Sequence, residues 1–233
     1  MPRTNRGDSA DAAAAPMRTI YLVRHGKAAE RTQDTDDRTR ALVARGEKDS
    51  RKLGGRLAAL GLEVDLLLSS PARRARETAQ IFARALRYPR GRIQLDDALY
   101  DAATGSALLR TLRRLPPQVH SVMLFGHEPS LSGLAAHLLP LFDGSLPKSG
   151  VVGIHVPAGS WKQLKPGSGV LGLIEFPRAR KRSRRLFRQI ADAELSELVW
   201  GFLQTKDPPA AAALQDPVRW IVARLNDVFL ERP

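Results

Sequence analysis

Three short stretches carry side chains able to do chemistry: Arg24-His25-Gly26, the run from Ser69 to Thr78 containing Arg73, Arg74 and Arg76, and Gly126-His127-Glu128-Pro129. Two imidazoles, with guanidinium groups that match phosphate oxygens in a forked geometry, suggest an anion site. Singly, each is weak. A histidine just past a strand is more often a capping or surface residue, and Arg73, Arg74 and Arg76 read as solvated or paired with acids such as Glu77. His120, His137 and His155 read as structural or surface residues. No carboxylate has metal-ligand spacing to a histidine. Gly167-Ser168-Gly169 lacks the lysine and the strand–loop–helix setting of a nucleotide loop. A metal-free, cofactor-free site is the expectation.

What could bring such distant residues together is the order of the elements around them. Thr19 to Val23, Val64 to Leu68 and Val119 to Phe125 are short apolar runs that read as buried strands, and each ends at one of the three polar stretches. Residues 27 to 45 are charged and aperiodic, a long loop. Residues 46 to 60 carry Leu53, Leu57 and Leu60 at helical spacing, although Gly54 and Gly55 weaken that helix. A second helix should follow Ser70, with Ser70 as its cap, Pro71 in its first turn and Ala75, Thr78, Ala79, Phe82 and Leu86 on its apolar face. Residues 105 to 115 and 130 to 139 read as further helices, and Val151 to Val156 and Val170 to Phe176 as strands of the same sheet. Strands alternating with helices imply an α/β fold with a largely parallel sheet, in which ligands gather outside the carboxyl ends of the strands.

The chain has 233 residues, is 43% hydrophobic and contains no cysteine, so it can bury a sizeable core but forms no disulfide or thiolate site. It reads as a loose tail over residues 1–17, one catalytic domain over 18–177 and a basic extension over 178–233, helical over about 186 to 204 and 217 to 230. The formal charge of +13 favours anionic partners. Arg178, Arg180, Lys181, Arg182, Arg184, Arg185 and Arg188 cluster without an intervening acid, either as surface decoration or as a salt-sensitive nucleic-acid contact. Phe187 alone interleaves them, which disfavours the latter. A cytoplasmic location is expected, since the Ala12–Ala15 run is too short for a signal peptide and no apolar run is long enough for a membrane span.

At the three stretches the sequence resembles the histidine phosphatase superfamily. Leu22-Val23-Arg24-His25-Gly26 is similar to its first hallmark. Ser70-Pro71-Ala72-Arg73-Arg74-Ala75 is similar to its second, in a register that selects Arg74 over Arg73 and Arg76, and Gly126-His127-Glu128-Pro129 is similar to its third. Order, spacing and strand context agree across residues 19 to about 176. Within the superfamily the likeness is to the small phosphohistidine phosphatases of the SixA type, through Leu42-Val43-Ala44-Arg45-Gly46, Leu99-Tyr100 and the third block. The Leu-Arg-Glu element of the phosphoglycerate mutase branch, with its catalytic acid, is not found; the nearest text is Asp96-Asp97-Ala98-Leu99-Tyr100-Asp101.

The resemblance implies a three-layer α/β/α sandwich, phosphoglycerate mutase-like, and a phosphatase. His25 would attack phosphorus and become a transient phosphohistidine, while Arg24, Arg74 and His127 bind the phosphoryl oxygens. For that, His25 must present a neutral nitrogen, its tautomer set by a carbonyl or carboxylate on the other ring nitrogen. Without an evident acid, a labile leaving group such as the imidazole of phosphohistidine is favoured. Asp97 and Asp101, the acids nearest that region, rank low. The expected partners are a phosphorylated protein or small phosphorylated substrate, with inorganic phosphate as product. A broad-specificity phosphomonoesterase, or a non-catalytic phosphate- or phosphoprotein-binding module, are the alternatives.

Overall fold

The computed structural model describes residues 17–177 apart from 35, 140, 141 and 143. Residues 1–16 of the N-terminal tail and the basic extension with its expected helices lie outside the described residues, and Met17 opens the first strand. Strands β1 (Met17–Arg24), β2 (Leu66–Ser69), β3 (Gln94–Leu95), β4 (Ser121–Gly126), β5 (Val151–Pro157) and β6 (Val170–Glu175) form one sheet in the order β3-β2-β4-β1-β5-β6. The pairs β1–β4, β2–β4 and β2–β3 are parallel. β5 runs antiparallel to both of its neighbours, so it alone is reversed and the sheet is mostly parallel. The helices are α1 (Ala44–Ala59), α2 (Arg73–Ala85), α3 (Ala98–Asp101), α4 (Gly105–Leu112) and α5 (Ser130–Leu138).

Alternation along the strands makes two cores. Ile20, Leu22, Val122, Leu124, Leu66 and Leu68 face α4 and α5, with Leu108, Leu112, Leu131 and Leu134. Tyr21, Val23, Met123, Phe125 and Leu67 face α1 and α2, with Leu53, Leu57, Ala79 and Phe82. The result is the expected α/β/α sandwich. None of its described helices is long and apolar enough to cross a membrane.

Register levels the strand ends. Val23 pairs with Phe125 and Arg24 with Gly126, while Ser69 also pairs with Phe125. The ladder continues one step past the strands: His25 N–H donates to the Gly126 carbonyl at 3.1 Å and Ser70 N–H to the Phe125 carbonyl at 2.9 Å. The three polar stretches therefore leave the sheet side by side.

Two expectations are corrected. Helix α2 begins at Arg73 after an Ala72 N-cap that has no side-chain cap bond, so Ser70 is not its cap and Pro71 precedes its first turn. Ser70 Oγ accepts the Ala72 N–H at 3.3 Å, but its 2.8 Å partner is His127 Nε2. The stretch 94–101, read without elements, holds the short β3 and α3.

The helix glycines divide by surroundings. A methyl on Gly54 would meet Ala85 Cβ at 3.1 Å, so Gly54 lets α1 approach α2, whereas nothing lies within 4 Å of the corresponding point on Gly55. A methyl on Gly46 would fall 2.1 Å from the Lys27 carbonyl oxygen, two residues past His25. Gly46→Ala should lower stability by about 1–3 kcal/mol through overpacking, whereas Gly55→Ala should raise it by about 0.5–1 kcal/mol through helix propensity. Chemical denaturation of both variants reads the contrast.

Candidate active site

The loop after β1 is pinned from several sides. Ser149 N–H donates to the carbonyls of Arg24 and His25 at 3.0 and 3.2 Å, and Gly26 N–H donates to Thr78 Oγ1 at 3.0 Å. Thr78 Oγ1 in turn donates to the Arg74 carbonyl at 2.7 Å, one turn earlier on α2. His25 and Arg74 thus share a backbone anchor.

Three side chains meet there, and Arg24 lies within electrostatic reach of them. The rings of His25 and His127 are 5.0 Å apart between centroids. Arg74 Nε donates to His25 Nε2 at 3.3 Å, and Arg74 Nη2 lies 3.3 Å from His127 Nδ1. Arg24 carries Nη1 to the Leu146 carbonyl at 2.8 Å and acts electrostatically on both imidazoles. Arg73 and Arg76 are exposed, with Arg73 paired to Glu77 at 2.8 Å, whereas Arg74 is buried.

Hydrogen-bond roles follow from what each partner can do. A carbonyl only accepts, so His25 Nδ1, 2.7 Å from the Gly26 oxygen, carries the proton, and Nε2 is left with its lone pair toward Arg74. A guanidinium only donates, so His127 Nδ1 accepts from Arg74 and Nε2–H donates to Ser70. Burial lowers the His25 pKa to about 3, helped by the charges of His127, Arg74 and Arg24 against the Gly26 carbonyl. Burial and Arg74 lower His127 to about 4, with Asp37 opposing them. Both rings are neutral near pH 7.

Around this centre the charge is positive. Burial lowers the Lys148 pKa, and Arg24, Lys27, Arg40 and Arg74 add to the shift, which places these cations in one neighbourhood. Of the nearby acids, Asp37, Asp97 and Asp101 are paired with arginines, whereas one buried carboxylate oxygen of Glu128 has no hydrogen-bond partner. Asp97 and Asp101 pair with Arg38 on the exposed rim at 3.3 and 3.5 Å. Burial raises Glu128, against bonds to Ser132 and the charge of Arg24. Asp37 is held well below the usual carboxylate range: burial would raise it, but bonds from Arg40 and Arg74 prevail.

Asp37, Tyr100 and Ser70 were not assigned to the site from the sequence. Asp37 lies among neighbouring acids in an aperiodic loop, and Ser70 read as a cap. Leu99-Tyr100 stood out only as a likeness; the Tyr100 ring meets His127 edge-on at 5.5 Å. His120, His137 and His155 lie elsewhere: His120 precedes β4, His137 is on α5, and His155 bonds Thr19 Oγ1 at 3.1 Å. Among the described residues no group of three or more His, Asp or Glu side chains could hold a metal ion.

The model for the histidine phosphatase superfamily (branch 1) matches residues 20–122. A Mycobacterium tuberculosis protein of uncharacterised function is 32% identical over 169 residues, which is 67% of this chain and all of that one. The chain belongs to the histidine phosphatase superfamily. Another relative of uncharacterised function, from Picosynechococcus sp., is 33% identical over 140 residues, 58% of this chain and 84% of its own. The crystal structure of the putative phosphohistidine phosphatase SixA from Agrobacterium tumefaciens is 28% identical with a TM-score of 0.53, covering 60% of this chain and 92% of that one. The enzyme is accordingly a SixA-like phosphatase, acting on phosphorylated substrates and yielding phosphate.

Protonation of the phosphatase's imidazoles should be readable by NMR. His25 and His127 should titrate near pH 3 and 4 instead of near 6.5. Between those limits the unfolded chain binds protons that the folded chain refuses. The stability contribution of these two rings is therefore complete above about pH 6.5 and is lost as pH falls toward 3. Ring resonances that titrate near 6.5 in the folded protein would contradict the assigned environments.

Proposed function

We propose that this phosphatase uses His25 as its nucleophile and works without metal, with residues 18 to 177 as the catalytic unit. The observation that carries the reading is the state of His25: neutral, with its proton on Nδ1 and its Nε2 lone pair beside a buried guanidinium. Nε2 attacks phosphorus as the bond to the leaving group breaks and takes its electron pair away. Arg24, Arg74 and His127 hold the equatorial oxygens. A dianion at the pocket favours protonation of His127 on Nδ1, which turns that nitrogen from acceptor to donor. Water then attacks the phosphohistidine, releasing phosphate and restoring His25.

The substrate class follows from the acids. Asp37 is the carboxylate bonded to Arg74, and being held ionised it is a poor proton donor. An alkyl alcohol leaving without a proton forgoes general-acid help worth about 100- to 10,000-fold. An imidazole leaving from a phosphoramidate can already be protonated near neutrality. Phosphohistidine in a protein, or another labile phosphoryl group, is therefore the proposed substrate, in line with the SixA likeness.

The test is a substrate panel in the presence of a chelator: a phosphohistidine protein, small phosphoramidates, sugar phosphates and aryl phosphates. Phosphoramidates should turn over fastest. A preference for sugar phosphates would instead make the enzyme a phosphomonoesterase, and binding without turnover would make it a binding module. Rapid quench should trap an acid-labile phosphoryl group on His25, and His25→Ala should abolish turnover. Activity lost in chelator and restored by a divalent ion would count against the reading.

The arginines give a separate test. Arg74→Ala should cost about 1.5–3 kcal/mol of transition-state stabilisation, and Arg74→Lys should also be impaired because it loses the fork. Arg73→Ala and Arg76→Ala should change kcat/KM for a small phosphate only modestly, since both side chains face solvent. A larger loss from either than from Arg74→Ala would overturn the assignment of Arg74.

A further inference from the structure

Arg74 has two usable edges. Nε–H and one hydrogen of Nη2 make one edge; Nη1 and the other hydrogen of Nη2 make the second. The first edge faces the imidazoles, with Nε 3.3 Å from His25 Nε2 and Nη2 3.3 Å from His127 Nδ1. The second is held by one residue: Nη1 donates to the Asp37 carbonyl at 2.5 Å and Nη2 to Asp37 Oδ2 at 2.8 Å. Asp37 is itself braced. Arg40 Nε and Nη2 donate to Oδ1 at 2.9 and 2.6 Å, and Tyr100 Oη–H donates to Oδ2 at 3.1 Å. Loop and helix are joined again at the rim, where the Arg38 guanidinium lies 4.4 Å from the Tyr100 ring centre.

We infer that Asp37 is the positioning residue of the phosphate-binding arginine: it grips the outer edge of Arg74, with Tyr100 and Arg40 as its brace, so that the inner edge faces the transferring phosphoryl group. This rests on the proposed role of Arg74. A guanidinium on a long side chain has many rotamers, and forked recognition of phosphate oxygens needs one of them. A carbonyl and a carboxylate from the same residue fix the plane of the guanidinium as well as its position. The contrary possibility is that Asp37 competes with phosphate for the arginine. The division of edges speaks against it, because Asp37 bonds the side turned away from both histidines.

The experiment uses the full chain, an aryl phosphate as substrate, and orthovanadate and inorganic phosphate as inhibitors. Asp37→Asn should lower kcat by about 10- to 100-fold, the loss of a charge-assisted hydrogen bond expressed in the transition state. It should weaken inhibition by orthovanadate, which adopts the five-coordinate geometry, by a similar factor, and inhibition by phosphate less. Tyr100→Phe should lower kcat by about 2- to 10-fold, as for one neutral hydrogen bond. In an Arg74→Ala background, Asp37→Asn should cause no further loss, because its effect passes through Arg74.

Full activity of Arg74→Ala would sink the proposed role of Arg74 itself. If Arg74→Ala is impaired while Asp37→Asn stays within twofold of the parent, or binds phosphate and vanadate more tightly, the positioning role alone is overturned. Losses that multiply in the double variant overturn it too. Should circular dichroism show Asp37→Asn unfolded, Tyr100→Phe decides. A fall in kcat and vanadate affinity at unchanged melting temperature supports the role, and unchanged kinetics overturn it.

Discussion

A positive charge held out of water beside two imidazoles is the constraint to which the rest of the site answers. The Arg74 side chain is 6% exposed and brings a guanidinium charge among them, so its neighbours must adjust. His25 and His127 adjust by staying neutral and turning lone pairs toward it. Asp37 adjusts by staying ionised. The tautomers are then settled at a distance from the guanidinium, by the Gly26 carbonyl on one ring and the Ser70 hydroxyl on the other. Burial and this cation together favour neutral imidazoles, while Arg40 and Arg74 together hold Asp37 ionised.

The scaffold meets this constraint with backbone rather than with long side chains. His25 N–H bonds the carbonyl of Gly126, Ser70 N–H that of Phe125, and Ser149 N–H those of Arg24 and His25. Ser50 Oγ bonds the Gly46 carbonyl at 2.8 Å and meets Ser149 Oγ at 3.0 Å, joining α1 to the same loop. Hydrogen bonds between short, buried groups carry little conformational freedom, so the histidines are held closely at small entropic cost.

The parts of this arrangement legible in the sequence were those with a periodic signal. β1, β2 and β4 showed as apolar runs because both sheet faces are covered, and α1 and α2 showed through their apolar spacing. His25, Arg74 and His127 stood out because each follows a strand end within a recognisable block. Asp37 did not, since its meaning depends on a contact across 37 residues of chain with Arg74, and nothing local distinguishes it from Asp34 or Asp36. Ser70 was misread because a serine before a proline-led helix satisfies the pattern for a cap. The competing partner, His127, lies 57 residues away. β3, two residues long, is too short to show any period.

The levelled ends of β1, β2 and β4 also divide the chain into stretches where length is free and stretches where it is not. One residue inserted within β4 would turn Val122 and Leu124 from one core to the other and displace His127 from the row it shares with His25. The connection between Gly26 and α1 is not a strand of the sheet: its hydrogen bonds run within itself, from Ala29 to Ala41 and from Val43 to Lys27, and to α2 through Glu77 and Arg74. Insertions, deletions and changes of charge in that connection, with Asp37 and Arg40 kept, can therefore reshape what approaches the site while His25, Arg74 and His127 stay in place. Diversification of substrates within such a chain has an obvious address: the segment where length costs least carries Asp37, which bonds the arginine beside both histidines.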